Sequence, residues 1–264
     1  MDKCSFFIDD VALFGSFPSQ QDVFELENKG VRYFINLTFE GEKKTKSYVT
    51  NYTYISFPLV DRNIPDDKLK YSIFITKVVN LILSLNNGDI IYIHCKGGHG
   101  RSGVVVSCIL CLLYNWKAAY SLKYTNMKHN ERLNMKYFWR RIGSPQTTKQ
   151  KNFVLDFYKP LCINSIPILC LNSKHIIVMN KIKFNNIVDL YLYNRKKYYY
   201  DDYNFLLYIV FLKVIQHKDV LDALLNTFSR PLEYIPEYNE PILSNLHIVL
   251  MYIRYNMFIT FNIY

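Results

Sequence analysis

Glycine and proline are scarce in this chain, nine of each in 264 residues, and only two tryptophans occur. No internal repeat and no low-complexity segment stands out, so fibrous and linker-like architectures are excluded. No apolar run approaches the roughly 18 uninterrupted residues of a membrane span. The first ten residues carry Asp2, Asp9 and Asp10 where a secretory signal needs an apolar stretch. Six cysteines (4, 95, 108, 111, 162 and 170) show no paired zinc-ligand spacing. Cys108 and Cys111 form a single CxxC inside the apolar run 104–113, which reads as buried thiols on a core helix. These absences imply a reducing intracellular setting, cytoplasmic or nuclear, in which a free thiol survives.

Half of the residues are hydrophobic and a fifth are charged, the balance of a globular chain. Its length accommodates one core of about 150 residues and a smaller partner. The formal charge of +10 favours anionic partners. The heavy use of Asn, Ile, Lys and Tyr is also what an AT-rich genome produces, so charge decides nothing alone.

Pattern along the chain predicts an α/β layout. Residues 11–15 read as a short strand closed by Ser16-Phe17-Pro18, and Ser19 with Asp22 predicts the capped start of a helix ending near Gly30. Val31, Tyr33, Ile35 and Leu37 alternate as a strand and then meet a polar loop, 40–47. Residues 54–59 read as another strand, with Asp61 just beyond it. Pro65-Asp66-Asp67 starts a helix whose apolar positions recur at helical spacing until Gly88. Residues 90–93 are wholly apolar, as the middle of a parallel sheet requires. The expected architecture is a central, mostly parallel sheet flanked by helices over residues 1–160. A smaller, mainly helical domain is expected over 161–264.

Directly after the buried strand comes His94-Cys95-Lys96-Gly97-Gly98-His99-Gly100-Arg101-Ser102-Gly103, followed by a buried helix. In a glycine-rich loop successive N–H groups can point inward as an anion cradle. The helix that follows adds unpaired N–H groups and a positive dipole end. A cysteine at the base of such a cradle ionises readily, its pKa expected to fall from ~8.5 toward ~4–7, and the thiolate is the nucleophilic form. Arg101, six positions on, supplies a planar fork for two phosphoryl oxygens. Gly97, Gly98 and Gly100 let the backbone curl around the anion. His94 is expected behind the loop, bonding backbone groups, and Ser102 as a donor to the thiolate. Lys96 and His99 are expected to add positive charge or to face solvent.

This loop resembles the active-site loop of protein tyrosine phosphatases, in the dual-specificity branch. Phe57-Pro58-Leu59-Val60-Asp61 is similar to the strand and general-acid loop of that family. Gly143-Ser144-Pro145-Gln146-Thr147-Thr148-Lys149-Gln150 is similar to its QTxxQ segment. Within the family the likeness is to the cyclin-dependent-kinase-associated phosphatase, which shares the Gly-Gly pair and the Pro-x-x-Asp-x-x-x-Pro-Asp pattern. The resemblance spans residues 8–160 and implies a cysteine-phosphatase fold and a phosphorylated protein as substrate. It implies a cysteinyl-phosphate intermediate, a water-positioning role for Gln146, and no metal or organic cofactor. Motif position points to Asp61 as the acid, 34 residues before Cys95. Asp66, 29 before it, is the alternative, closer to the family's usual interval. The basic residues at 96 and 99 keep an anionic phosphoinositide open as substrate. No stable nucleic-acid binding is expected, and the loop lacks the His-Gly-x-Asn-Arg pattern of relatives acting on RNA 5′-triphosphates. A missing acid would instead make the chain a module that binds phosphoproteins without turnover.

Further on, residues 212–233 resemble the C-terminal part of the NADAR family, N-glycosidases acting on ADP-ribose-linked and related ribosides. Lys213, Gln216, Leu224, Leu225, Thr227, Arg230, Pro231, Leu232 and Glu233 carry the likeness. Asn239-Glu240-Pro241-Ile242 stands where that family has tryptophan-glycine, and no Val-Glu-His-like motif lies upstream. The expectation is a degenerate NADAR-like or unrelated helical domain of unknown role, with an interaction role or a nucleotide-riboside site left open.

Overall fold

The computed structural model describes residues 3–43, 45–198, 203–236 and 243–260, the side chains of 195–198 excepted. The chain divides between Tyr158 and Lys159 into two compact units.

The first unit is built on a five-stranded sheet of order β1-β2-β5-β3-β4. Its strands are β1 (Cys4–Ile8), β2 (Ala12–Gly15), β3 (Val31–Asn36), β4 (Thr53–Ser56) and β5 (Ile90–His94). Four of them run parallel, and β1 alone pairs antiparallel, with β2. The sheet is therefore the mostly parallel one expected, with β1 as an addition that no alternation in the sequence announces. β5 lies at its centre with every residue buried, which is why its sequence is an unbroken apolar run. β4 is shorter than the 54–59 expected. Beyond Ser56 the regular pairing gives way to two single bonds, from Phe57 N–H to Asn36 O at 2.9 Å and from Leu59 N–H to Leu37 O at 3.1 Å.

Helices cover the sheet because each parallel connection needs a crossover. α1 (Gln20–Asn28) starts with the predicted capping box, Ser19 and Asp22 bonding each other's backbone N–H. α2 (Lys68–Leu83) is capped by Asp67, which accepts from the Lys70 N–H at 2.9 Å. α3 (Arg101–Tyr114) is buried from Arg101 through Cys111, including both CxxC thiols. Burial pushes the Cys108 thiol up, and that of Cys111 up to about 12, as inert core thiols. α4 (Ala118–Asn130), α5 (Tyr137–Ile142) and α6 (Thr148–Phe157) complete the unit.

The second unit is mainly helical: α7 (Ile187–Tyr198), α8 (Tyr203–Gln216), α9 (Lys218–Leu225) and α10 (Leu246–Thr260). It adds two small sheets, β6 (Leu161–Cys162) beside β9 (Leu232–Glu233), and the hairpin β7 (Ile177–Met179) and β8 (Ile182–Phe184). Asn180 and Lys181 both take positive φ at the hairpin turn. Leu190, Leu206, Ile209, Leu224, Leu246 and Val249 are among its buried core. Of the polar residues that resemble NADAR proteins, Lys213, Gln216, Thr227 and Arg230 are engaged within this unit. Lys213 is buried on three oxygens, and the Gln216 amide brackets the Val178 backbone. Residues 239–242 lie outside the described residues. No helix among the described residues is long and apolar enough to cross a membrane.

Candidate active site

β5 ends at His94 and α3 begins at Arg101, so residues 95–100 form a loop at the carboxyl end of the central strand. The carbonyls of this loop are bonded on its outer side. Lys96 O accepts from the Phe17 N–H at 3.1 Å, Gly98 O from Arg132 at 2.8 Å, and His99 O from the Ser144 hydroxyl at 2.7 Å. A planar trans peptide points its C=O and the next N–H in opposite directions. Three outward carbonyls therefore turn the N–H groups of Gly97, His99 and Gly100 toward the opposite, inner side. None of these three finds an acceptor among the described residues. Gly98 makes the curl possible: its φ is +73°, and a Cβ there would sit 2.4 Å from the Gly15 carbonyl carbon. α3 starts without a side-chain cap, so its first-turn N–H groups add to the positive concavity.

Cys95 is buried, with its Sγ 3.6 Å from the Ser102 hydroxyl. Arg101 is the largest fully buried side chain of the chain's described part. Its Nη1 and Nη2 hold the Glu42 carboxylate at 2.7 and 2.8 Å, and Nη1 also donates to Leu59 O at 3.0 Å. Asp61 Oδ1 lies 3.1 Å from Nη2. Burial lowers the arginine pKa, but the Glu42 bonds and the charges of Cys95 and Asp61 outweigh it and raise the value. Reciprocally, hydrogen bonding from Arg101 holds the Glu42 carboxyl below the usual range. The Arg101 Nε is buried and without a partner. A buried guanidinium donor left unsatisfied is costly, and an anionic ligand would satisfy it.

The structure brings Cys95, Arg101, Ser102 and Asp61 together. Asp66 is exposed ahead of α2 and makes no hydrogen bond or ion pair among the described residues. Arg62, next to Asp61, takes a φ of 57°, which turns the chain sharply after Asp61. Lys96 is half-buried, and its charge helps to lower the Glu42 pKa. Gln146 is half-buried, whereas Gln150 is fully buried against the loop: a Cβ on Gly100 would be 3.0 Å from its Nε2. Gln150 also donates to Asn63 O at 3.1 Å, tying the segment after Asp61 to α6.

Two expectations are corrected. His99 carries no positive charge near neutral pH, because burial and Arg132 lower its pKa to about 4. Its ring stacks on Trp139 at 4.4 Å and its Nδ1 is 2.7 Å from His129 Nε2. His94 does lie behind the loop, but its side chain shares a 2.7 Å hydrogen bond with the Tyr48 hydroxyl and none with backbone groups. Burial lowers its pKa to about 3, so it is a neutral ring.

Three residues went unread in the sequence. Glu42 sits in what reads as an ordinary polar loop, and Tyr48 follows the same loop. Arg132 looks like a surface residue between Glu131 and Leu133, yet it is buried on Gly98 O, Phe14 O and the Phe14 ring. Burial lowers its pKa to about 10, while nearby Cys95 is among the groups that hold its charge. Arg132 lies two residues past the end of α4, beside Glu131, and nothing in that local pattern marks it as buried.

Comparison with known proteins shows the family. Residues 4–154 match the family described as PTP-SAK, a Swiss Army Knife protein DSP-PTPase phosphatase domain. The chain belongs to this family of dual-specificity and tyrosine phosphatases. Protein 197R of Invertebrate iridescent virus 6, which carries a tyrosine-phosphatase name, is 35% identical over 173 residues, 65% of this chain and 59% of that protein. Protein 067L of Invertebrate iridescent virus 3, similarly named, is 37% identical over 169 residues, 62% of this chain and 69% of that protein. Among solved structures, kinase associated phosphatase (KAP) with its catalytic-site cysteine replaced by serine is 21% identical. It covers 59% of this chain and 92% of that one, with a TM-score of 0.45. Tk-PTP in its active form is 20% identical, covering 58% and 94%, also at 0.45.

Proposed function

We propose that the first unit hydrolyses phosphate monoesters on phosphotyrosine and phosphoserine/threonine through a cysteinyl-phosphate intermediate. One observation carries this reading: an unpartnered Arg101 Nε and three inward N–H groups converge on the loop that begins at Cys95. The Cys95 sulfur attacks phosphorus and the P–O bond to the leaving group breaks. Asp61 delivers a proton to the departing oxygen. The loop amides and Arg101 hold the equatorial oxygens, whose charge grows in the transition state. Water then attacks phosphorus, Asp61 takes its proton, and the S–P bond breaks to release phosphate. Ser102 donates to the departing sulfur, and Gln146 or Gln150 positions the water. Glu42 and Arg132 are positioning residues, the first orienting the guanidinium and the second holding the loop carbonyl of Gly98. The scheme uses no cofactor and suits a reducing compartment.

With Asp61 at the guanidinium, a binding-only role has no missing acid to support it. The phosphoinositide alternative rested on Lys96 and His99, and the neutral, stacked His99 leaves Lys96 alone to favour it. The experiment is turnover of p-nitrophenyl phosphate across pH 5–8. Wild type should turn over and Cys95→Ser should be slower by about 10⁴-fold or more. Equal, background-level rates would end the proposal.

A further inference from the structure

The α4–α5 connection and α5 do two things at once. Arg132 and Trp139 turn inward to the phosphate loop, on Gly98 O and the His99 ring. Between them, Leu133 and Tyr137 are each 79% exposed and Phe138 is 58% exposed. Large apolar side chains held in water at this density, on a segment anchored from below, mark a contact surface. They project from a turn and a short helix and line none of the described cavities, so they are shaped to insert.

Beside them lies a cavity of about 300 Å³ lined by Lys123, Arg141 and Lys151 with Leu122, Asn126 and residues 142–145, and by no acidic residue. None of the three cations has a carboxylate partner among the described residues. Arg141 joins the two features, since it follows Tyr137 by four positions on α5 and shares its helix face. Aromatic tips flanked by unpaired lysine and arginine are the composition of interfacial membrane anchors. The cavity is at the small end for ligand sites and has room for one anionic headgroup rather than a peptide segment.

We propose that this face docks the protein on an anionic phospholipid bilayer, with Leu133, Tyr137 and Phe138 entering the interface and Lys123, Arg141 and Lys151 receiving a headgroup phosphate. Trp139, Arg132 and the Ser144 bond to His99 O then put the phosphate loop next to the membrane surface. The inference stands whether or not Cys95 turns substrate over.

The test is co-sedimentation of the full chain with phosphatidylcholine vesicles, with and without phosphatidylserine, at low and high salt. Wild type should bind only the phosphatidylserine vesicles, and lose binding as salt rises. Lys123→Ala/Arg141→Ala/Lys151→Ala should weaken binding on the order of a hundredfold. Leu133→Ser/Tyr137→Ser/Phe138→Ser should weaken it about tenfold or more. Unchanged thermal melting and unchanged p-nitrophenyl phosphate turnover show that both variants are folded. Wild type that ignores phosphatidylserine, or variants that bind as wild type does, overturns the proposal. So does a face that captures an acidic phosphopeptide and no vesicle, which would make it a protein-docking surface.

Discussion

Among the described residues each unit of the chain buries two cations, and they are used in different ways. In the second unit Lys213 donates to Ile168 O and Cys170 O, both at 2.8 Å, and to the Ser173 hydroxyl. Arg254 there donates to Arg230 O at 2.8 Å and to the Thr227 hydroxyl. These charges are bound by fixed oxygens of their own unit and fasten turns. In the first unit Arg132 works similarly, on Gly98 O and Phe14 O. Arg101 differs: besides the Leu37 and Leu59 carbonyls it holds two carboxylates on loops, and its Nε is left over in a concavity of unpaired amides. A buried cation with every donor satisfied is a staple, whereas one with a spare donor and movable counter-ions is a site.

The largest effect that can break this contrast is on activity. Arg101→Lys keeps the charge but loses the fork, so kcat/KM for p-nitrophenyl phosphate should fall about 10³-fold, with little change in melting. A loss below tenfold would make Arg101 another staple. Lys213→Met should do the reverse. Three oxygens lose their donor, so urea unfolding of the second unit should show a loss of about 2–4 kcal/mol while kcat stays within experimental error. Coupled loss of activity would erase the distinction between the units.

A smaller effect sharpens the comparison within the first unit. Glu42→Gln keeps the shape but removes the charge that orients Arg101, and kcat should fall about tenfold with KM raised less. The neutral rings behind the loop set a pH dependence. His94, His99 and His129 have folded pKa values of about 3, 4 and 3, below the ordinary 6.5. The unfolded chain therefore binds more protons than the native one between those values. Their stabilisation is fully present above pH 6.5 and is lost as pH falls toward 4, by up to about 1.4 kcal/mol per pH unit for each ring. Urea midpoints at pH 7, 6 and 5 measure it, and a pH-independent midpoint would contradict the buried neutral rings.

How much of this could be read from sequence follows from the range of the interactions involved. β5, the Ser19 and Asp22 box, the CxxC helix and the Cys95–Arg101 loop are local, set by neighbours within a few residues, and the sequence states them. Glu42 meets Arg101 across 59 residues, and nothing in a run of glutamates and lysines marks which one turns inward. His99 reads as a charge in a phosphate loop. Its neutrality comes from Trp139 and Arg132, which reach it from beyond α4. Gln146 drew attention as part of a motif, while Gln150, four residues on, is the glutamine packed against Gly100. β1 is not legible because Ser5 is buried while Phe6 and Ile8 are only partly so, and polarity along Cys-Ser-Phe-Phe-Ile does not alternate. The Cys95–Arg101 loop is legible because it is local, whereas the residues packed against it are set by tertiary contact.

The claim on which the rest depends is that phosphate passes through the Cys95 sulfur. Its most direct measurement is an acid quench of the Asp61→Asn variant during turnover of p-nitrophenyl phosphate, followed by mapping of bound phosphate on the denatured chain. Nitrophenolate leaves without a proton, so the first step proceeds while the water step lacks its base, and the intermediate accumulates. The account predicts phosphate on Cys95 and none in Cys95→Ser. Turnover with no phosphorylated protein, or phosphate on another residue, would contradict it.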